Sequence, residues 1–260
     1  QGVRTLSADL LDRNSFSRLP DSENVIYLVG LKFGTTDNPA QTWAVNTLVP
    51  SYVAERYTDA RIAALSTGGV YPLAQVTQGG SHETDALTPL GEYGNSCVGR
   101  ERIFEYYSRQ QGTRVTLVRL SYAVELRYGV LVDIARRVYS GEPIDVTMGY
   151  FNYIWQGEAN AMVLRSLGLA QTPPEALNLT VSPPLKVRDI AETFGKLMGR
   201  PVEITGKESP MAFISNTNRL HELLGAPSMS LDVLMRWTAH WIMNGGRLLD
   251  KPTHFEVRDG

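Results

Sequence analysis

The residues of this chain best suited to chemistry lie in two short segments. Ser66-Thr-Gly-Gly-Val-Tyr71 follows an apolar run, and Tyr93-Gly-Asn-Ser-Cys-Val-Gly-Arg-Glu101 opens a helical pattern. A hydroxyl at the carboxyl end of a strand and a tyrosine on the next helix can converge in the crevice of a doubly wound sheet. There Tyr93 can exchange a proton with a substrate hydroxyl while Thr67 hydrogen-bonds that oxygen and fixes its position. Either segment alone also reads as a polar turn or an ordinary helix tyrosine. Their order and separation are what point to a site. Cys97 is the single cysteine and has no histidine near it in sequence, so a thiol nucleophile is the weaker reading. His82, His221, His240 and His254 are scattered, without zinc-ligand spacing, so no metal site is expected.

These segments need a frame. Val3–Ser7 is expected as a strand and Ser15–Leu19 as a short helix. Val25–Val29 is a nearly continuous apolar run, the mark of a strand buried on both faces. Residues 39–57 carry apolar side chains at helical spacing, with Pro50 as a kink or boundary. Arg61–Ser66 and Val115–Leu120 are expected strands on either side of a long helix, Glu92–Gln111. That order implies a parallel sheet with helices on both faces. After Tyr122 the pattern changes. Helices are expected at Val130–Tyr139, Glu158–Leu167, Val187–Leu197, Asn216–Leu224 and Ser230–Met243, with strands near Ile144–Thr147, Ala176–Val181 and Val202–Ile204. Pro173-Pro174 and Pro183-Pro184 read as loop markers. The last helix carries Leu231, Leu234, Met235, Thr238, Trp241 and Ile242 on one stripe, a core or subunit-packing face.

The fold class expected is α/β: a doubly wound, Rossmann-like parallel sheet over residues 1–122 and a smaller mixed lobe over 123–260. Elements near 150–181 are expected to return to the first unit. Basic and acidic residues nearly balance, 25 against 27, which argues against a nucleic-acid partner. No run of about 18 apolar residues suggests a membrane span, and one cysteine suits a reducing cytoplasm. The tail from Lys251 to Gly260 reads as an exposed terminus, with a docking or homodimer contact as the alternative.

With these segments in order, the chain resembles the extended short-chain dehydrogenases, which include UDP-galactose 4-epimerases and nucleotide-sugar dehydratases. Thr67 and Tyr93 match that family's catalytic pair. Val25-Ile-Tyr-Leu-Val-Gly-Leu-Lys32 looks like the strand and loop that run along its cofactor. The resemblance therefore implies cofactor contacts from Leu28, Val29, Gly30, Lys32 and Ser66. Asp9-Leu10 matches the acidic-apolar pair at the adenine ring, and Asn46 the helix asparagine near the nicotinamide. It implies NAD or NADP as cofactor and a nucleotide-sugar or similar alcohol as small-molecule substrate. Tyr122 and Arg127 would lie on the substrate side. Glu101 and Arg119 also match family positions, and Glu158 falls where relatives carry a structural aspartate.

Two departures qualify the resemblance. The family's Tyr-x-x-x-Lys reads Tyr93-Gly-Asn-Ser-Cys97. The lysine binds the nicotinamide ribose and lowers the tyrosine pKa, and a neutral thiol supplies neither the charge nor the donors. A nearby charge moves a pKa by about 1–3 units, and general acid/base assistance contributes roughly 10²–10⁴ in rate. A severe loss is therefore expected, and Arg100 is expected to face solvent rather than replace the lysine. The glycine-rich opening of the family is also missing, and such a βαβ unit needs about 30 residues. Val3–Ser7 then reads as the third strand, with earlier elements expected upstream of Gln1. A rival reading keeps the fold and drops the chemistry: a non-catalytic member that binds a dinucleotide or a partner.

Overall fold

The computed structural model describes residues 2–32, 37–251, 253 and 255–256. A 3-10 turn, Arg13–Arg18, leads to strand β1 (Asn24–Tyr27). Helix α1 (Pro39–Trp43), a π-helical stretch (Ala44–Leu48) and helix α2 (Val49–Arg56) then run on without a break. Strand β2 (Arg61–Thr67) ends in a 3-10 turn, Gly68–Val70. The short strand β3 (Ala74–Gln75) precedes the long helix α3 (Gly91–Gln111), and strand β4 (Arg114–Leu120) follows it. Next come strand β5 (Ala123–Val124), helix α4 (Val130–Ser140), strands β6 (Ile144–Asp145) and β7 (Tyr150–Trp155), and helix α5 (Gln156–Ser166). Strands β8 (Glu175–Leu179) and β9 (Val181–Lys186) lead into helix α6 (Val187–Met198). Short strands β10 (Ile204–Thr205) and β11 (Met211–Ala212) and helices α7 (Asn218–Leu224) and α8 (Leu231–Met243) complete the order.

The central sheet runs β1-β2-β4-β8, all parallel. Side chains alternate across it, as the pleat requires. Ile62, Ala64, Val115 and Leu117 pack toward Val49, Val53 and Phe104 from α2 and α3. Val118, Leu177 and Leu179 pack the other way, on Ala159, Met162, Val163 and Leu220 from α5 and α7. Burying each large side chain contributes about 1.5–3 kcal/mol. Covering both faces explains why β2 and β4 read as apolar runs. A second core joins α4, α6 and α8 through Ile134, Val138, Ile190, Phe194, Leu234 and Met235. It packs against a three-stranded sheet, β5-β7-β9.

The architecture is the expected α/β one, and several details differ. Val3–Ser7 forms no strand; Val3 is 83 % exposed, and no neighbour offers its backbone a ladder. Val25–Val29 yields only β1. Among the described residues it pairs with β2 alone, and Leu28 beyond it is exposed. Pro183 and Pro184 lie inside β9 rather than in a loop. β9 is an edge strand, where a missing amide donor costs no ladder bond. The tail is not simply exposed. Thr253 donates from its amide and hydroxyl to Asp133 on α4, Phe255 is buried beside Phe151, and Glu256 pairs with Arg137. Residues 252, 254 and 257–260, part of the same expectation, lie outside the described residues.

Candidate active site

The site begins with how α3 meets the end of β2. Tyr93 occupies the first turn of α3, and Gly94 follows it. A Cβ on Gly94 would lie 2.7 Å from the Gly69 carbonyl oxygen and 2.6 Å from Pro89. The glycine thus lets the helix start close onto the Gly68–Val70 turn. That approach sets the phenol of Tyr93 beside Thr67, whose hydroxyl acts to lower the phenol's pKa. The ring also packs against Cys97, one helical turn on, whose thiol raises the phenol's pKa. Thr67 Oγ1 also accepts the Gly69 amide at 3.1 Å, which fixes the hydroxyl. The two sequence segments therefore meet as expected.

Electrostatics set the resting state of the phenol. Burial raises the Tyr93 pKa well above its ordinary 10.0, and Cys97 raises it further. The Arg100 guanidinium and the Thr67 hydroxyl oppose this without overcoming it. Burial likewise raises the Cys97 thiol, again against Arg100. Both groups are protonated at neutral pH.

Behind this pair Asn46 is fully buried within the π-helical stretch, a distortion that often accompanies functional sites. Its Oδ1 accepts the Leu31 amide at 2.9 Å and Arg100 Nη2 at 2.7 Å. Its Nδ2 donates to the Leu31 carbonyl at 3.1 Å and to Ser96 Oγ at 2.8 Å. Ser96 Oγ passes the chain on to the Tyr93 carbonyl at 2.8 Å. One amide thus ties the loop after β1 to the start of α3.

Arg100 does not face solvent as its position suggested; it is only 5 % exposed. Its Nη1 donates to the Leu65 carbonyl at 2.9 Å, and its guanidinium lies 5.8 Å from the centre of the Tyr27 ring. A Cβ on Gly30 would fall 2.3 Å from Arg100 Nη2, so a larger residue there would push the guanidinium aside. The signal was present. Tyr93, Ser96, Cys97 and Arg100 lie at i, i+3, i+4 and i+7, one face of one helix. What the spacing cannot say is that β1, β2 and the π-helical stretch converge on that face.

A second buried cluster lies beside the first. Arg119 makes a bidentate ion pair with Glu101 at 2.7 and 3.0 Å, and Ser66 donates to Glu101 Oε1 at 2.5 Å. Arg119 also reaches Tyr71, whose hydroxyl donates to Asn178 at 2.8 Å. Ser66 is therefore committed through its hydroxyl to the frame. Glu158 accepts from Ser228 and Met229, pinning the loop before α8.

The remaining candidates lie apart from the Thr67–Tyr93 pair. Asp9 accepts the Leu11 amide at 2.9 Å, and Leu10 packs on the α2–α3 core. Leu28 is exposed and Val29 half-buried, on the way to Gly30. Lys32 Nζ reaches the Tyr128 hydroxyl at 3.2 Å, linking the loop after β1 to the second lobe. Tyr122 packs edge-on against Phe151 with a left-handed φ of 42°, and burial raises its pKa to about 12. Arg127 is exposed and pairs with Glu125 at 2.9 Å. Among the described residues no cluster of side chains could hold a metal ion, and no helix is long and apolar enough to cross a membrane.

Solved structures share this fold. RMD from Pseudomonas aeruginosa, complexed with NADPH, superposes with a TM-score of 0.77 at 18 % identity, over 92 % of this chain and 88 % of that one. MoeE5, in complex with UDP-glucose and NAD, gives 0.75 at 16 % identity, over 92 % and 85 %. The UDP-glucose 4-epimerase of Thermotoga maritima, with UDP-glucose, gives 0.74 at 16 %, over 92 % and 84 %. At such identities the likeness is one of fold. Compared by sequence with curated proteins, the chain finds no match. The family model described as "NAD dependent epimerase/dehydratase family" matches residues 1–149, more than half of the chain and the stretch that contains Thr67 and Tyr93. By that match and by its fold, the chain belongs to the NAD dependent epimerase/dehydratase family.

Proposed function

We propose that this chain binds NAD or NADP in the crevice above β1 and β2 and acts on an alcohol carbon of a nucleotide-sugar or similar small molecule. The observation that carries the reading is the close approach of Gly94, at the start of α3, to the turn after β2, which sets Tyr93 beside Thr67 at the carboxyl end of a parallel strand. Ligands of open α/β sheets bind at that end of the strands. Similar folds solved with NADPH, NAD or UDP-glucose support the ligand classes.

The residues present fit a dinucleotide in most respects. Gly30 is exposed, and Asn46, Thr67 and Tyr93 would supply polar groups near it. Asp9, Leu10, Leu28, Val29 and Lys32 would complete the contacts, with Ser66 contributing through its backbone. Position 97 is the misfit, since a buried thiol cannot supply an ammonium. The nicotinamide, when bound, supplies the hydride acceptor. Thr67 steadies the reacting oxygen, and Tyr93 exchanges the hydroxyl proton through its phenol. Because that phenol rests protonated, it serves more readily as proton donor than as base at neutral pH. Arg127, and Tyr122 where its ring clears Phe151, are the substrate-side candidates. The buried Cys97 suits a reducing compartment such as the cytoplasm.

Cys97 favours a second reading, a member that binds dinucleotide without turning substrate over. Purified protein is expected to release NAD(H) or NADP(H) on denaturation and to turn over UDP-glucose or UDP-galactose slowly. Bound nucleotide without turnover selects the second reading. Neither nucleotide nor turnover contradicts both.

A further inference from the structure

Arg100 is a buried cation whose partners are all neutral. Its Nη groups donate to the Leu65 carbonyl and the Asn46 amide oxygen, and its Nε has no partner. Among the described residues it makes no ion pair; Glu101, its neighbour in sequence, is paired with Arg119. An uncompensated charge in a low-dielectric site acts strongly on whatever ionises beside it. The groups facing it are Tyr27 from β1, Asn46 from the π-helical stretch, Leu65 from β2, and Tyr93 and Cys97 on its own helix. Tyr93 and Cys97 share the α3 face of Arg100, the Asn46–Ser96 chain ties Arg100 to the Tyr93 backbone, and of these groups Tyr93 lies beside Thr67. Tyr93 itself is faced by Thr67, Cys97 and Arg100.

We infer that Arg100 is a positioning residue that supplies the positive field for Tyr93 in place of a cation at position 97. This rests on the reading of Tyr93 as the proton-exchanging group. The guanidinium takes over the electrostatic job only. Its Nη donors are spent on Leu65 and Asn46, which leaves its contribution to binding a ribose small. The expected signature is a phenol whose ionisation follows the charge at position 100, in a protein with modest affinity for NAD⁺.

The test reads the phenol directly, without cofactor or turnover. The full chain is labelled with 2,3,5-trifluorotyrosine, whose three fluorines make the phenol ionise at far lower pH than tyrosine and keep the titration where the fold holds, and the Tyr93 ¹⁹F resonances are assigned by their loss in Tyr93→Phe. Arg100→Gln is expected to raise the Tyr93 midpoint by about 1–3 pH units, and Arg100→Lys to leave it near the wild-type value. An unchanged midpoint in Arg100→Gln, or equal shifts in both variants, overturns the inference. Should Arg100→Gln not fold, Arg100→Gln/Cys97→Lys decides. A midpoint near wild type then shows one cation replacing another. A midpoint about one unit or more below wild type shows that Arg100 never supplied the field. Failure of the underlying reading looks different: turnover unchanged in Tyr93→Phe, whatever the titrations show.

Discussion

A phenol held above its ordinary pKa, against the pull of Arg100 and the Thr67 hydroxyl, releases its proton reluctantly. Since burial and Cys97 hold the Tyr93 pKa above 10.0, the ionised fraction below that pH grows with pH. Turnover that needs the phenolate is therefore expected to rise about tenfold per pH unit between roughly pH 7 and 9 without levelling. A plateau below pH 8 in an initial-rate profile would contradict this. Cys97→Lys is expected to move the rise to lower pH and tighten NAD⁺ binding. It should also destabilise the fold, because a second cation is placed beside a buried guanidinium. Thermal denaturation and NAD⁺ titration of the same variant check both parts. Thr67 and Tyr93 stood out as candidates by residue type and spacing along one strand and one helix, and Cys97 only by the resemblance to the family's Tyr-x-x-x-Lys. Arg100 was not legible, because its partners come from Tyr27, Asn46 and Leu65, which are remote in sequence.

Helix α3 acts as the spine of the site. One of its faces presents Tyr93, Cys97 and Arg100, and the next turn presents Glu101 to Arg119 on β4. That ion pair is almost wholly buried, with side-chain exposures of 6 % and 3 %. Removing one partner of such a pair leaves a buried charge and costs about 3–5 kcal/mol. Arg119→Met is expected to lose that much in urea denaturation; a loss under about 1 kcal/mol would show that water reaches the pair. Gly94→Ala tests the approach of α3 to the Gly68–Val70 turn. The added methyl meets the Gly69 carbonyl, so Tyr93 must move away from Thr67 and turnover should fall more than stability does. β2, β4 and α3 were readable because two covered faces make continuous apolar strands and one long helical pattern. β9 was hidden by its prolines. Val3–Ser7 has strand-like residues but no partner strand among those described, so propensity alone misled.

Across the molecule, several buried phenols couple stability to alkaline pH. Burial raises Tyr27, Tyr71 and Tyr122 from 10.0 to about 12. A pKa raised in the folded state stabilises fully below the unfolded value and fades as pH climbs toward the folded one. The melting temperature is accordingly expected to fall steeply between about pH 10 and 12. Tyr27→Phe should flatten that fall at little cost near neutrality, since the Tyr27 hydroxyl has no hydrogen-bond partner. An alkaline limb identical to wild type in that variant would assign the loss elsewhere. The family's fold was legible from the alternation of strands and helices, and the paired β6 and β10 fall near two expected strands, whereas β3 and β11, of two residues each, carry too short a pattern to be read. On the proposed function, what the whole arrangement has to deliver is hydride removal at the Thr67–Tyr93 pair. The direct measurement is the absorbance of reduced nicotinamide after UDP-glucose or UDP-galactose is added to NAD⁺-loaded protein. Reduced nicotinamide should form in the wild type and form about 10²–10⁴ times more slowly in Tyr93→Phe. Equal rates in the two proteins, or no reduction with any nucleotide-sugar, would contradict the chemistry assigned to this crevice.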